Sequence, residues 1–421
     1  MKRVICLVLG ALMLLSAAGC GAGPSEAKPA GKGVEDLMAQ ITARDVGYNE
    51  DHLEAGEKLS DFAVRLLQAA NEAGENTLIS PLSVLYALAM TANGAREETL
   101  AQMEAVLGME IGDLNGYLCG LRKSLERSED GVLSMANSIW FRDAARFTPE
   151  QDFLQCNADY YGAELYRAPF DDSTLKAINS WVKDRTHGMI PEILDRIPDE
   201  AVMYLVNALA FEGEWPQPYE EYQVRDGIFT LADGTQRDAE FMYADEGIVL
   251  RDEHARGFMK YYKGGRFAFA ALLPDEDVSV EDYVASLTGE RLHSILDHLD
   301  NRPVLTAIPK FETEYDTELS GVLKAMGMPD AFDRDLADFT ALGRSEEGNI
   351  YISRVLHKTF LSMGEKGTRA GAATAVEAVE ECAIEPFETE QIYLDRPFIY
   401  MLVDLRTGGP FFIGTMMDVA A

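Results

Sequence analysis

The chain carries six histidines, His52, His187, His254, His293, His298 and His357, and these are the first candidates for acid–base or metal chemistry. None lies in an H-E-x-x-H motif, which would put two imidazoles on one face of a helix. No G-x-S-x-G turn raises a serine nucleophile, and no G-x-x-x-x-G-K-[ST] loop cradles a phosphate. His293 and His298 flank Asp297 in a stretch with helical character, which reads as a solvated helix face rather than a metal site. A Ser-His-Asp set can be drawn on paper from any chain this long, so its availability points nowhere. The residues give no support for turnover catalysis. Neither an enzyme nor a bound cofactor or metal is expected.

Two polar residues are more informative because of where they stand. Asn207 lies inside the apolar run VMYLVNALAF, and His357 lies inside VLHKTFL. A buried polar group without a partner costs roughly 1–3 kcal/mol, so each needs a hydrogen-bonding neighbour. Ser80 and Ser83, on either side of Pro81 and Leu82, are the obvious candidates. The residue types alone cannot join these four positions.

The elements that would hold such residues can be read from periodicity. Leu59, Phe62, Ala63, Leu66 and Ala70 recur at helical spacing. In LISPLSVLYALAMTANGA, Ser80 suits a helix N-cap and Pro81 the first helical position. A further helix is expected over about Glu97 to Leu107, and INSWVKDRTHGMIPEIL reads as a helix broken at Gly188–Pro191. VLSMANSIWFRD and YISRVLHKTFLSMGE read as strands. AVMYLVNALAFEGEW is apolar almost throughout, as a strand covered on both faces must be. VLTAIPKFETEYDTELSGVLKAMGM runs from strand into helix. KYYKGGRFAFAALLPDE and PFIYMLVDLRTGGPFFIGTMM read as hairpins. Helices and strands mix without strict βαβ alternation, which points to an α+β fold with large mixed sheets. No linker is evident after residue 58, so one domain is expected.

Composition sets limits. The 421 residues are 47% hydrophobic, enough for a sizeable core, and the formal net charge is −34. That charge argues against nucleic acid, whose phosphates require cations. Residues 1–19 read as an export signal: Lys2 and Arg3, an apolar run, then Ser16-Ala17-Ala18-Gly19 before Cys20. The pattern resembles a bacterial lipobox, so Cys20 is expected to carry lipid at a bacterial cell surface. Release into the medium is the alternative. Residues 20–55 begin GAGPSEAKPAGKG after Cys20 and read as a flexible tether, with the globular domain over 56–421. Of the five cysteines, Cys119 and Cys156 are expected as buried thiols, with one bridge between them the alternative.

The segment GTRAGAATAVEAVEEC, residues 367–382, fits none of these elements. It is too apolar for a solvated loop and too light for a core strand. In a strand, alternate residues share a face. One face would be Thr368, Ala370, Ala372, Thr374, Val376 and Ala378, all small or apolar. The other would be Arg369, Gly371, Ala373, Ala375, Glu377 and Val379, which holds both charges through residue 379. Such a strand could enter a crowded interior with its uncharged face inward.

This segment resembles the reactive-loop hinge of inhibitory serpins, protease inhibitors that act as suicide substrates. The likeness rests on Glu365-Lys366-Gly367-Thr368 and on Ala370, Gly371, Ala372, Ala373 and Thr374. It extends from about residue 59 to 418 through Ser80-Pro81-Leu82-Ser83, Val206-Asn207-Ala208-Leu209 with Gly213-Glu214-Trp215, Val355-Leu356-His357-Lys358, Arg396-Pro397-Phe398 and Phe412-Ile413-Gly414. The resemblance implies a serpin fold, large mixed sheets surrounded by helices, with an exposed reactive-centre loop over about 365–390. It implies that Ser80, Ser83, Asn207 and His357 form a hydrogen-bonded shutter under the central sheet. It also places Trp215 at the breach where insertion starts. Counting fourteen residues past Gly367, as the family usually does, makes Glu381–Cys382 the reactive bond, with Val379–Glu380 the alternative. The implied partner is a glutamate-selective or elastase-like serine protease, with cysteine proteases a further option, met by a monomer. A non-inhibitory serpin, binding or chaperoning at a surface, is the competing reading. Such members often carry bulky or charged hinge residues, unlike Thr368 to Thr374.

Overall fold

A computed structural model describes residues 32–48, 53–126, 132–143, 147–199, 201–346, 348–368 and 389–420. The signal, Cys20 and the loop from Arg369 through Glu388 lie outside them. So do Ala370, Gly371, Ala372, Ala373 and Thr374 and both candidate bonds, Glu381–Cys382 and Val379–Glu380.

The first helix, α1 (Leu53–Ala70), buries Leu59, Phe62, Ala63, Leu66 and Ala70, the face its periodicity predicts. Helix α2 (Pro81–Ala92) starts where expected, with the Ser80 side chain accepting the Ser83 N–H and Pro81 in the first turn. Every residue of α2 is buried. A helix that is apolar all round belongs inside the protein. Helix α3 (Asp172–Arg185) is capped by Asp171, whose side chain accepts from Ser173 and Thr174. It ends before Gly188, which takes a left-handed φ of 77°, consistent with the break expected there.

Three large sheets organise the chain. The central one has seven strands, which we number along the chain as β1 (Glu35–Asp36), β2 (Val132–Arg142), β3 (Glu164–Ala168), β4 (Met203–Glu214), β5 (Phe311–Glu318), β6 (Arg354–Gly364) and β7 (Gly367–Thr368). Their spatial order is β1-β3-β2-β4-β7-β6-β5. A six-stranded sheet contains the C-terminal hairpin Phe398–Asp404 and Gly409–Met416, and a four-stranded sheet includes Val304–Pro309 and Gln236–Glu246. The central sheet is covered on both faces, as the apolar run in β4 requires. Tyr204, Val206 and Ala208 pack with Ile178, Trp181 and Val182 of α3. Leu205, Leu209 and Phe211, on the opposite face, join the main core with α2.

The tether expected over residues 20–55 is shorter than its composition suggested. Residues 32–48 pack on the domain. Glu35 and Asp36 pair with Arg167 and Tyr166 of β3, and the Leu37 N–H donates to the Leu165 carbonyl at 2.9 Å. Leu37, Met38 and Ile41 lie against the core. Arg44 grips the buried Asp159 carboxylate through Nε at 2.9 Å and Nη2 at 2.6 Å. Burial disfavours the charged form, yet bonds from Arg44 and Gln155 hold that carboxyl below the ordinary aspartate range. The linker composition ends at Gly33; the apolar residues after it have an open sheet edge to cover. Cys119 and Cys156 are both free thiols, the first buried and the second half-buried.

Candidate functional site: a seam in the central sheet

The site is the seam between β4 and β6. These parallel strands pair directly over six positions, from Tyr204↔Arg354 to Leu209↔Thr359. Beyond Leu209 and Thr359 they part, and β7 fits between them, antiparallel to both. Gly367 pairs with Glu214 and Gly364, and Thr368 with Gly213 and Met363. The close approach demands glycine at 367. Its φ is 142°, and a Cβ there would stand 1.9 Å from the Gly213 carbonyl oxygen. Thr368 is only 1% exposed, and its hydroxyl bonds that of Tyr262. It points inward, as the alternation of the 367–382 segment requires.

Trp215 fixes the chain just before β7. Its indole Nε1–H donates to the Gly364 carbonyl at 3.1 Å, and its backbone N–H donates to Lys366 O at 2.9 Å. The ring stacks on Tyr262 with centroids 4.4 Å apart and 6° between planes. Glu365 accepts from Lys310 Nζ at 2.7 Å, and its own carbonyl accepts the Tyr219 N–H at 2.8 Å. The bond from Lys310 holds the Glu365 carboxyl below its usual range. Lys260 sits beneath this cluster, 5.2 Å from the Trp215 ring centre and 4.8 Å from that of Tyr219. Its ammonium pairs with Glu246, whose carboxyl is pushed up by burial.

The polar residues found in apolar runs meet lower in the seam. The Ser80 N–H donates to His357 Nε2 at 3.1 Å. That makes Nε2 the acceptor, so the proton sits on Nδ1, which faces Asn207 Oδ1 at 3.4 Å. Ser83 donates its hydroxyl to Asn207 Oδ1, and Asn207 Nδ2 donates to the Ser83 carbonyl. Ser80 Oγ donates to Phe411 O at 2.9 Å, fastening α2 to the six-stranded sheet. All four residues are fully buried. They hold β4 and β6 closed over the start of α2.

Burial pushes the His357 imidazole down to about 3. An unfolded histidine titrates near 6.5, so below that pH the unfolded chain takes up a proton that the folded seam refuses. Stability is expected to fall as pH drops from 6.5 towards 3, by up to about 1.4 kcal/mol per pH unit from this residue. Urea midpoints across that window should fall less steeply in His357→Gln than in the unsubstituted chain. Parallel slopes would remove His357 from the explanation.

Ser80, Ser83, Asn207 and His357 thus come together as the resemblance implied, and Trp215 meets the Glu365–Gly367 backbone. Asn137 joins them without having been expected: it accepts from Asn207 Nδ2 at 2.7 Å. It stands in the run SMANSIWF, the same signal that marked Asn207. Lys310 and Tyr262 had no such signal, being ordinary residues in strand-like sequence. Of the histidines flanking Asp297, His298 meets the Ser294 carbonyl through Nδ1 at 2.9 Å.

Comparison with known proteins agrees with this geometry. The profile described as serpin (serine protease inhibitor) matches residues 57–419. The leukocyte elastase inhibitor of Sus scrofa is 32% identical over 376 residues, spanning 84% of this chain and 97% of that protein. An uncharacterized serpin-like protein of Thermococcus kodakarensis is 28% identical over 368 residues, with 86% and 84% covered. Among solved structures, the thermophilic serpin tengpin in its native state is 44% identical, with a TM-score of 0.87 over 92% of this chain and all of that one. Tengpin in its latent state gives 0.78 over 89% of this chain and all of that one. The fold overlaps the native form better than the latent one. A match over nearly the whole globular chain, together with this seam, places the protein in the serpin family.

Proposed function

We propose that this protein inhibits a protease as a suicide substrate, and the observation that carries the reading is β7. Two residues of the hinge already lie between β4 and β6, in a register that the rest of the loop can continue. Carried forward residue by residue, that register sets Ala370 beside Phe211 and Leu361, and Ala372 beside Leu209 and Thr359. Thr374 falls beside Asn207 and His357. The one polar inward residue between Thr368 and Glu377 therefore meets the polar pair of the seam. Continuing to Tyr204 and Arg354 brings the strand to Glu377.

The chemistry follows. The protease serine attacks the reactive carbonyl, the peptide bond breaks, and an ester joins the loop residue to the serine while a new amino terminus leaves. The freed strand then separates the six direct β4–β6 pairs and inserts, carrying the protease with it and distorting its catalytic site. Fourteen residues at ~3.3 Å span ~46 Å, about the length of such a sheet. The acyl residue is Glu381 for cleavage at Glu381–Cys382, which suits a glutamate-selective serine protease. Cleavage at Val379–Glu380 suits an elastase-like one, and relatives named as leukocyte elastase inhibitors favour keeping that option. The same trap extends to cysteine proteases through a thioester. The small residues from Ala370 to Thr374 weigh against a non-inhibitory serpin. The signal and Cys20 support export and a lipid anchor at a bacterial surface, with the inhibitor acting as a monomer.

Titration of a serine-protease panel tests the reading. Residual activity of one target should fall to zero near equimolar inhibitor. Cleavage of the loop by every protease in a broad panel, with no activity lost, would sink it.

A further inference from the structure

A cavity of about 340 Å³ lies beside the seam, between β5, β6 and the chain after α3. Its charged lining is Glu192, Asp195, Asp316 and Glu318 against Arg354 and Lys358, so four carboxylates face two cations and the walls are net negative. Some of these charges are engaged. Asp316 pairs with Lys358 at 3.4 Å, and Glu318 accepts the N–H groups of Ser320 at 2.9 Å and Val355 at 3.2 Å. Arg354, Glu192 and Asp195 have no hydrogen bond or ion pair with a described residue. A half-buried guanidinium that lines a cavity with two free carboxylates, yet reaches neither, is an exception that needs a reason.

The walls are held in place. Asn179 of α3 accepts the Ile193 and Leu194 N–H groups, each at 3.0 Å, and donates to the Leu194 carbonyl at 2.8 Å. Ile193 and Leu194 are buried in one apolar layer with Leu356 of β6 and with Ile178 and Trp181 of α3. Arg354 stands two residues before Leu356, on the same face of β6. Glu192 and Asp195 thus flank an anchored apolar pair on one wall, and the guanidinium stands on the other. An occupant must complement both. A simple anion would suit Arg354 but meet four carboxylates, and a metal ion would meet Arg354 and Lys358. A molecule with a carboxylate at one end, a cation at the other and a net positive charge suits every wall. The volume is at the small end for ligand sites, which suits an amino acid rather than a larger cofactor.

We propose that this cavity binds a free basic amino acid, of the lysine type. Its carboxylate takes the two donors of Arg354, a planar fork matched to that group. Its side-chain ammonium reaches Glu192 and Asp195, and its methylene chain lies along Ile193, Leu194 and Leu356. The single net positive charge of lysine offsets the excess of carboxylates. The site is apart from the reactive loop and stands whether or not that loop inserts.

The test is calorimetric titration of the full-length, uncut protein with three probes. L-lysine should bind saturably, one molecule per chain. Lysinamide lacks the carboxylate, and norleucine lacks the side-chain ammonium; each should bind roughly tenfold more weakly or worse. Arg354→Gln should weaken lysine to the level of lysinamide. Glu192→Gln combined with Asp195→Asn should abolish the preference for lysine over norleucine. The amide and norleucine arms use the unsubstituted chain, so they decide the matter even where a variant folds poorly. No saturable binding of lysine, or binding of lysinamide as tight as that of lysine, would overturn the proposal. So would unchanged lysine affinity in Arg354→Gln, or a lysine preference that survives the Glu192 and Asp195 substitutions.

Discussion

Thr368→Arg should convert the protein from an inhibitor into a substrate. Thr368 is the first inward residue of the segment, 1% exposed, bonded through its hydroxyl to Tyr262 beneath the stacked Trp215. An arginine there must bring a guanidinium into an aromatic, close-packed breach. Breaking the match between a buried charge and its partners costs ~3–5 kcal/mol. The native fold tolerates the change by leaving β7 out, because β4 and β6 pair directly below it. Insertion cannot, since Thr368 must enter before Ala370 and Ala372. Slower insertion gives the acyl-enzyme time to hydrolyse. A rise of ~2 kcal/mol in the insertion barrier slows the step about thirtyfold. The moles of inhibitor consumed per mole of protease should rise at least tenfold, with Thr368→Ser behaving like the parent. An unchanged ratio in Thr368→Arg would contradict the inward assignment.

Cleavage of the loop between residues 377 and 382 should stabilise the protein strongly. The six direct pairs between β4 and β6 are exchanged for a strand bonded to both neighbours, over positions from Thr368 to Glu377. About ten net ladder bonds at ~1 kcal/mol each make the step favourable by ~10 kcal/mol. For a domain of this size that is a rise of ~13 °C in Tm. Calorimetry of cut and uncut protein measures it directly. A cut before residue 370 should give no rise, because it leaves too short a strand to insert. Equal transitions for protein cut at 377–382 and uncut protein would mean that the seam does not open.

Much of this site could be read from residue types, and the reasons are local. Ser80 and Pro81 announce a helix start through capping and ring geometry, both one-residue effects. Asn207 and His357 stand out because a polar group in an apolar run needs a partner, whatever the fold. The alternation in 367–382 predicted the inward face, and Thr368 has it. What residue types do not disclose is which strands become neighbours. That β7 lies between β4 and β6, or that Tyr262 supplies the hydroxyl beneath Thr368, depends on pairings across more than a hundred residues. Lys310 is an unremarkable lysine between two strands until Glu365 is set against it. The N-terminal segment misled for a related reason. Its first residues have linker composition, while the features that tie residues 32–48 down are an exposed edge of β3 and a buried Asp159, both distant in sequence.

The central claim is that a protease is trapped covalently by the inserting strand. The most direct measurement is denaturing electrophoresis of the protein after incubation with the serine protease it inhibits, followed by mass spectrometry of the released C-terminal peptide. The account predicts an SDS-resistant adduct of the protease and the N-terminal part of the chain, with a peptide beginning at Cys382 or, for an elastase-like target, at Glu380. Loss of protease activity with no adduct, or a released peptide whose first residue precedes Glu377, would contradict it.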